Sequence, residues 1–258
     1  MTYCVGMLVE QGLILIADTR TNAGVDNISS YRKLHVLAEE PDRLIFACTA
    51  GNLSVTQSAL GQLAEGLPPA EDGGGRRFLA EVPTMFRAAQ MVGEVVAKAR
   101  NDVREALETA KVSSSVTLLL GGRIGPGPLK LYLVYSAGNF IECQSEQPFL
   151  QIGETKYGKP ILDRALRYDT PLDEAVKVGL ISFDSTIRSN LAVGRPLDLV
   201  VMPHDPAEPV IRRRIGVDDE YFNDLSTRWS MMLNEARDTI PEPPFMAPPP
   251  PAPPEPSL

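Results

Sequence analysis

Histidine is nearly absent from the chain. His35 and His204 are the only two among 258 residues, and they lie far apart. Each flanks a strand-like segment and reads as structural, so a Ser–His–Asp triad has almost nothing to build on. Cysteine is scarce as well: Cys4, Cys48 and Cys143 each sit in an apolar run, and no Cys-x-x-Cys spacing occurs. The three read as buried, reduced thiols, which fits a cytoplasmic protein. With so few histidines and no paired cysteines, neither a metal nor a cofactor is expected. No apolar run approaches the ~18 residues that span a bilayer, so no membrane partner is expected. No basic stretch precedes the first apolar run, so no secretory signal is read and nothing beyond Met1 is expected to be removed. A basic block is also lacking, and the formal net charge is −8. That balance argues against nucleic acid as a partner.

What is present is an ordinary globular composition, 43% hydrophobic and 22% charged. The runs TYCVGMLV and LILIADTR read as two strands joined by a tight turn, and LHVLAEE with RLIFACTAG as a second hairpin. LILIA and LIFACTA are apolar at nearly every position, which marks strands covered on both faces. A helix is expected to start near Asn52, and a second, with helical periodicity and i,i+4 charge pairs, between Phe78 and Lys111. The glycine-rich PPAEDGGGRR separates them. Strands return in SVTLLLGG, LKLYLVYSA, FIECQ and FLQIG. Two helices follow in YGKPILDRALR and PLDEAVKVGLISFDSTIR, then a hairpin of LDLVVMPH and VIRRRIG, and a last helix in DDEYFNDLSTRWSMMLNEARD. Hairpin-linked strands imply antiparallel pairing, and strands buried on both faces beside two helical pairs imply layers of helices, sheet, sheet and helices. Composition changes near Pro241. Residues 2–237 therefore read as one domain, and residues 238–258 as a disordered proline-rich tail.

Thr2 stands directly behind Met1. If Met1 is removed, Thr2 carries a hydroxyl and a free α-amine on one residue. An α-amine has a reference pKa of about 7.7–8.0, so near neutral pH part of it is unprotonated and can take the hydroxyl proton during attack on a carbonyl. Met-Thr alone is a weak signal. Its weight comes from Asp18 at the end of the second strand, Lys33 just before the third, and Gly51 where a strand gives way to a helix. Backbone N–H groups at that turn can face a developing oxyanion.

An N-terminal Thr, then ADTR, a Lys entering strand three and TAGN after strand four resemble the β-type subunits of the proteasome. MTYCVGML, TRTNAGVDNISSYRKLHV and SFDSTIRSN resemble, more specifically, the bacterial Anbu (ancestral β-subunit) family. The resemblance spans roughly residues 2–237. It implies the N-terminal nucleophile (Ntn) hydrolase fold, an α+β αββα sandwich of two mainly antiparallel sheets. Thr2 would be the nucleophile with its own amine as base, Lys33 would lower the pKa of the nucleophile's environment, and Asp18 would hold Lys33 in place. Gly51 would supply the oxyanion N–H, Asp184 would support the amine, and Ser189 would be the accompanying hydroxyl. Two departures stand out. The usual Asp-x-x-Ser-Gly-Gly is replaced by DSTIRSNLAVG, so Ser185, Thr186 or Ser189 can each fill the serine's place. The usual Gly-Ser-Gly reads Gly153-Glu154-Thr155, and Glu154 either contacts the amine or is only a carboxylate at a helix N-terminus.

The expected activity is a threonine-type amide hydrolase, a peptidase working through an acyl-enzyme. Amidase or acyl-transfer chemistry on a small amide or peptide conjugate is the alternative, with a non-catalytic assembly subunit a third. Non-catalytic α-type subunits carry an extension ahead of the first strand, which this sequence lacks. Specificity is expected to reside in the Thr19–Ser30 loop and around Thr49 and Leu53. The family implies self-association into a ring or an open, lock-washer-like homo-oligomer. The sequence encodes no sign of an ATPase partner.

Overall fold

A computed structural model describes residues 1–22, 28–69 and 74–246. The elements in chain order are β1 (Tyr3–Val9), β2 (Gly12–Asp18), β3 (Arg20–Asn22), β4 (Ile28–Ser30), β5 (Leu34–Glu40), β6 (Arg43–Gly51), α1 (Leu53–Glu65), α2 (Met85–Thr109), β7 (Val116–Ile124), β8 (Lys130–Val134), β9 (Phe140–Glu142), β10 (Phe149–Gly153), α3 (Lys159–Ala165), α4 (Leu172–Ser189), β11 (Leu197–Pro203), β12 (Ile211–Ile215) and α5 (Glu220–Thr239). They fall into two compact units, Met1–Asp219 and Glu220–Leu258.

The first unit holds two five-stranded sheets of order β10-β1-β2-β11-β12 and β5-β6-β7-β8-β9, with every ladder antiparallel. The side-chain period of two explains the layers. On β2, Leu13, Leu15 and Ala17 face inward and meet Phe46 and Cys48 of β6 and Leu119 of β7 between the sheets. Their neighbours Ile14 and Ile16 are also fully buried, because α4 covers the other face. Gly179 lets α4 come close: a Cβ there would press on Met7 and Ile16. On the far sheet Ile45, Ala47, Leu118 and Leu120 pack with Val92, Val95 and Val96 of α2. Residues with no polar alternation thus sit in strands sandwiched on both sides, and the result is the αββα arrangement.

Helix ends follow local chemistry. Asn52 caps α1, its side-chain oxygen accepting from the N–H of Ser54 and Val55, and Thr84 caps α2 by accepting from the N–H of Arg87. Within the expected Phe78–Lys111 segment helix α2 starts at Met85, after Pro83 and the Thr84 cap, and a 3-10 turn at Leu79–Glu81 precedes it. The short β3–β4 hairpin was not foreseen. It occupies part of the expected Thr19–Ser30 specificity loop, whose residues 23–27 lie outside the described residues.

In the second unit α5 runs to Thr239, two residues into the segment expected to be disordered. Prolines follow, with a 3-10 turn at Pro244–Met246. Residues 247–258 of the expected tail lie outside the described residues.

Candidate active site

The β1–β2 hairpin is registered with Cys4 opposite Ala17, which carries Asp18 back to the start of β1. The Asp18 carboxylate is fully buried and gathers four donors. Oδ1 accepts from the Tyr3 N–H at 3.0 Å and from Lys33 Nζ at 2.7 Å, and Oδ2 from the Arg20 N–H at 3.2 Å and the Gly194 N–H at 3.5 Å. Burial pushes the Asp18 carboxyl above its ordinary value, against the opposing pull of the Lys33 ammonium and of the Tyr3 and Gly194 N–H groups.

Lys33 is only 6% exposed. Beside Asp18, its ammonium donates to the Arg20 carbonyl at 2.6 Å and to the Met1 carbonyl at 3.3 Å. The Met1 carbonyl belongs to the peptide bond that ends in the Thr2 nitrogen. The lysine therefore sits against the bond whose removal would free the Thr2 amine. Thr2 is itself held from the other side, because its carbonyl accepts the Glu154 N–H at 2.6 Å. Gly153, at φ +84°, makes this approach possible: a Cβ there would collide with the Thr2 carbonyl.

Thr2, Lys33, Gly51 and Gly153 line one open cleft of about 400 Å³. Gly51 also has a left-handed backbone, φ +112°, and a Cβ there would strike the Ser115 carbonyl. Of the N–H groups at this turn, that of Asn52 is committed to the Ser115 carbonyl at 2.8 Å. Thr49 forms the buried floor, its hydroxyl lying 3.4 Å from the Lys33 carbonyl and 3.3 Å from Nε2 of His35. Burial lowers the His35 pKa, against the opposing pull of Asp198.

Asp184 and Ser189 lie on α4. Asp184 is buried and ion-paired with Arg188 one turn on, at 3.2 Å. Ser189 is exposed at the helix end. Among the described residues neither makes a hydrogen bond or ion pair with Thr2, whose nitrogen is a peptide nitrogen while Met1 is present. Of the three candidate hydroxyls, Thr186 is the fully buried one, and it donates to the Ser182 carbonyl. Glu154 is 8% exposed, with Oε1 accepting from the Lys156 N–H at 3.2 Å and Oε2 from Asn190 Nδ2 at 3.1 Å.

Three residues in this network were not foreseen. Asn190 ends α4 and joins it to Glu154. Gly194 donates to Asp18, and Arg20 pins the same loop by donating from its guanidinium to the Leu191 carbonyl at 2.8 Å. No spacing in the sequence reveals these partners, since the loop meets β2 only through the β2–β11 pairing. Among the described residues no cluster of His, Cys, Asp or Glu is placed to hold a metal ion, and no helix is long and apolar enough to cross a membrane.

No protein-family model matches the chain, and no curated protein does. Solved structures match over nearly its whole length. The Anbu (Gly-1) mutant from Hyphomicrobium sp. strain MC1 is 43% identical, with a TM-score of 0.83, over 94% of this chain and 99% of that one. The Anbu complex from Pseudomonas aeruginosa, described as a helical assembly, is 41% identical with a TM-score of 0.83, over 94% and 98%. Anbu (ancestral beta-subunit) from Yersinia bercovieri is 40% identical with a TM-score of 0.81, over 93% and 97%.

Proposed function

The chain belongs to the Anbu family of proteasome β-subunit-like proteins, and on that premise we propose that it is a threonine-type amide hydrolase acting on peptides. The observation that carries this reading is the position of Lys33, 2.7 Å from the buried Asp18 and 3.3 Å from the carbonyl of the bond that ties Met1 to Thr2. A buried ammonium fixed there by a carboxylate is a standing positive charge at the point where a nucleophile and its base would form.

Once Met1 is removed, the Thr2 hydroxyl attacks the substrate carbonyl and the Thr2 α-amine accepts its proton. The tetrahedral oxyanion is stabilised by backbone N–H at the Gly51 turn. Collapse expels the leaving amine, which takes the proton from the Thr2 ammonium, and leaves an ester on the threonine oxygen. Water then attacks the ester with the same amine as base and regenerates the hydroxyl. Lys33 favours the deprotonated nucleophile by its charge, and Asp18 holds Lys33. Asp184 and Ser189 are assigned the support of the free amine, which forms only after Met1 leaves. The helical assembly of the Pseudomonas aeruginosa relative supports self-association of this chain as well.

The test is treatment with a peptide epoxyketone, which requires a hydroxyl and a free amine on one residue, followed by intact mass and N-terminal peptide mapping. A chain starting at Thr2 with the adduct on that residue supports the reading. Quantitative retention of Met1, or a free Thr2 that no epoxyketone labels, overturns it.

A further inference from the structure

The cleft beside Thr2 has an uneven charge. Arg32 and Lys33 both line it, and among the described residues no carboxylate does. The charge of Lys33 is already committed to Asp18, which lies behind it with no exposure. Arg32 differs. It is exposed at the cleft wall, and it makes no hydrogen bond or ion pair among the described residues. Arg43, Arg77, Arg212, Arg214 and Arg228, by contrast, each face a carboxylate within 3.6 Å. The lining also carries the hydroxyls of Thr21, Thr49 and Thr56 beside the apolar Met1, Ala50 and Leu53. A guanidinium that makes no hydrogen bond or ion pair among the described residues, in a cleft whose lining also carries hydroxyls, can serve as a carboxylate receptor of the fork type.

We propose that the substrate of this site carries an acidic side chain next to the scissile bond, on its acyl side, with the side-chain carboxylate received by Arg32. This rests on the hydrolase reading above. The acyl side is the one that fits, because the acyl group stays attached to Thr2 and thus within the cleft that Thr2 lines. A basic side chain meets two cations there and, among the described lining residues, no carboxylate. An uncharged side chain of the same shape fits but leaves Arg32 unpaired. The overall charge of −8 repels acidic peptides at a distance, so the selectivity is local and needs contact with Arg32.

The experiment uses the processed full-length protein and four tetrapeptide epoxyketones that differ only in the residue bearing the warhead: Glu, Gln, Leu or Arg. Labelling of Thr2 is followed by intact mass. The Glu reagent is expected to label about tenfold faster than its Gln isostere, the scale of one charge-assisted contact, and the Arg reagent slowest. Raising salt should shrink the Glu-to-Gln ratio. Arg32→Gln should bring it near one, and Arg32→Glu should reverse the order of the Glu and Arg reagents. Labelling with the Gln or Leu reagent equal to or faster than Glu overturns the acidic preference and leaves the hydrolase reading intact. Failure of every reagent overturns the hydrolase reading instead. Calorimetric binding of the matching tetrapeptide amides then decides the preference, which falls if the Glu peptide binds no tighter than the Gln peptide.

Discussion

Lys33 and Asp18 form a 2.7 Å ion pair in which neither side chain is more than 8% exposed. A pair this deeply buried adds little net stability, since desolvation offsets attraction, but breaking it is costly because one charge is left without its partner. Its use is to fix an ammonium at one place, and the first two predictions come from it.

Asp18→Asn keeps the shape but removes the counter-charge of the buried Lys33 ammonium, which is left with neutral acceptors such as the Arg20 and Met1 carbonyls. We expect a loss of ~3–5 kcal/mol, or a fall in Tm of about 10 °C. Calorimetry or thermal circular dichroism measures it; a shift within 1–2 °C (an order-of-magnitude threshold) contradicts a structural role for the pair.

Lys33→Ala removes the cation that pulls the Asp18 pKa down, so burial raises that pKa further. A carboxyl whose folded pKa exceeds its unfolded value of about 3.9 holds more protons in the native state, and stability then falls as pH rises through the window between the two. The variant should therefore lose stability more steeply than the parent as pH rises above the unfolded carboxyl value of about 3.9, as read by Tm against pH. Parallel curves count against the buried-carboxyl account.

Gly153→Ala places a methyl against the Thr2 carbonyl at a residue with φ +84°. The backbone strain alone is about 1–2 kcal/mol, and the collision must also push Thr2 away from Glu154. Epoxyketone labelling should drop more than tenfold while the chain remains folded by circular dichroism. Unchanged labelling would show that the β10 edge does not position Thr2.

Asn190→Ala takes the donor from Glu154 Oε2 and unties the end of α4 from the β10 edge. A buried oxygen left unsatisfied costs about 1–3 kcal/mol. Labelling should slow, and Asn190→Asp, which sets a second carboxylate against Glu154, should slow it more. If both variants label at the parent rate, the α4 end has no part in placing Thr2.

The three thiols Cys4, Cys48 and Cys143 are buried. Burial raises the Cys4 pKa strongly and pushes Cys143 up to about 12. At pH 8 an aromatic disulfide reagent should find almost no reactive thiolate in the native protein and three after denaturation. Rapid native reaction of even one would contradict the packing between the sheets.

The layers were legible because LILIA and LIFACTA show no polar alternation, and only strands covered on both faces tolerate that. The meeting of Thr2, Asp18 and Lys33 followed from hairpin return, a local consequence of short turns. What stayed hidden depends on pairings distant in sequence. Asn190 reaches Glu154 across 36 residues, and Gly194 reaches Asp18 across 176, both fixed by how β11 and β10 dock rather than by any spacing. The clash that makes Gly153 necessary was equally invisible, since a glycine beside a replaced serine gives no hint of which carbonyl passes above it. The Thr19–Ser30 segment reads as a loop because its polar run hides a short hairpin held by only three residue pairs.

A single carboxylate receives the amide hydrogens of Tyr3, Arg20 and Gly194, from the start of β1, the start of β3 and the loop after α4. In exchange with heavy water these amides should behave as one group. Opening at Asp18 would release the chain start, the β3 entry and the loop after α4 together, so a slow-exchanging trio would mark the Thr2 end of the molecule as a cooperative unit of its own.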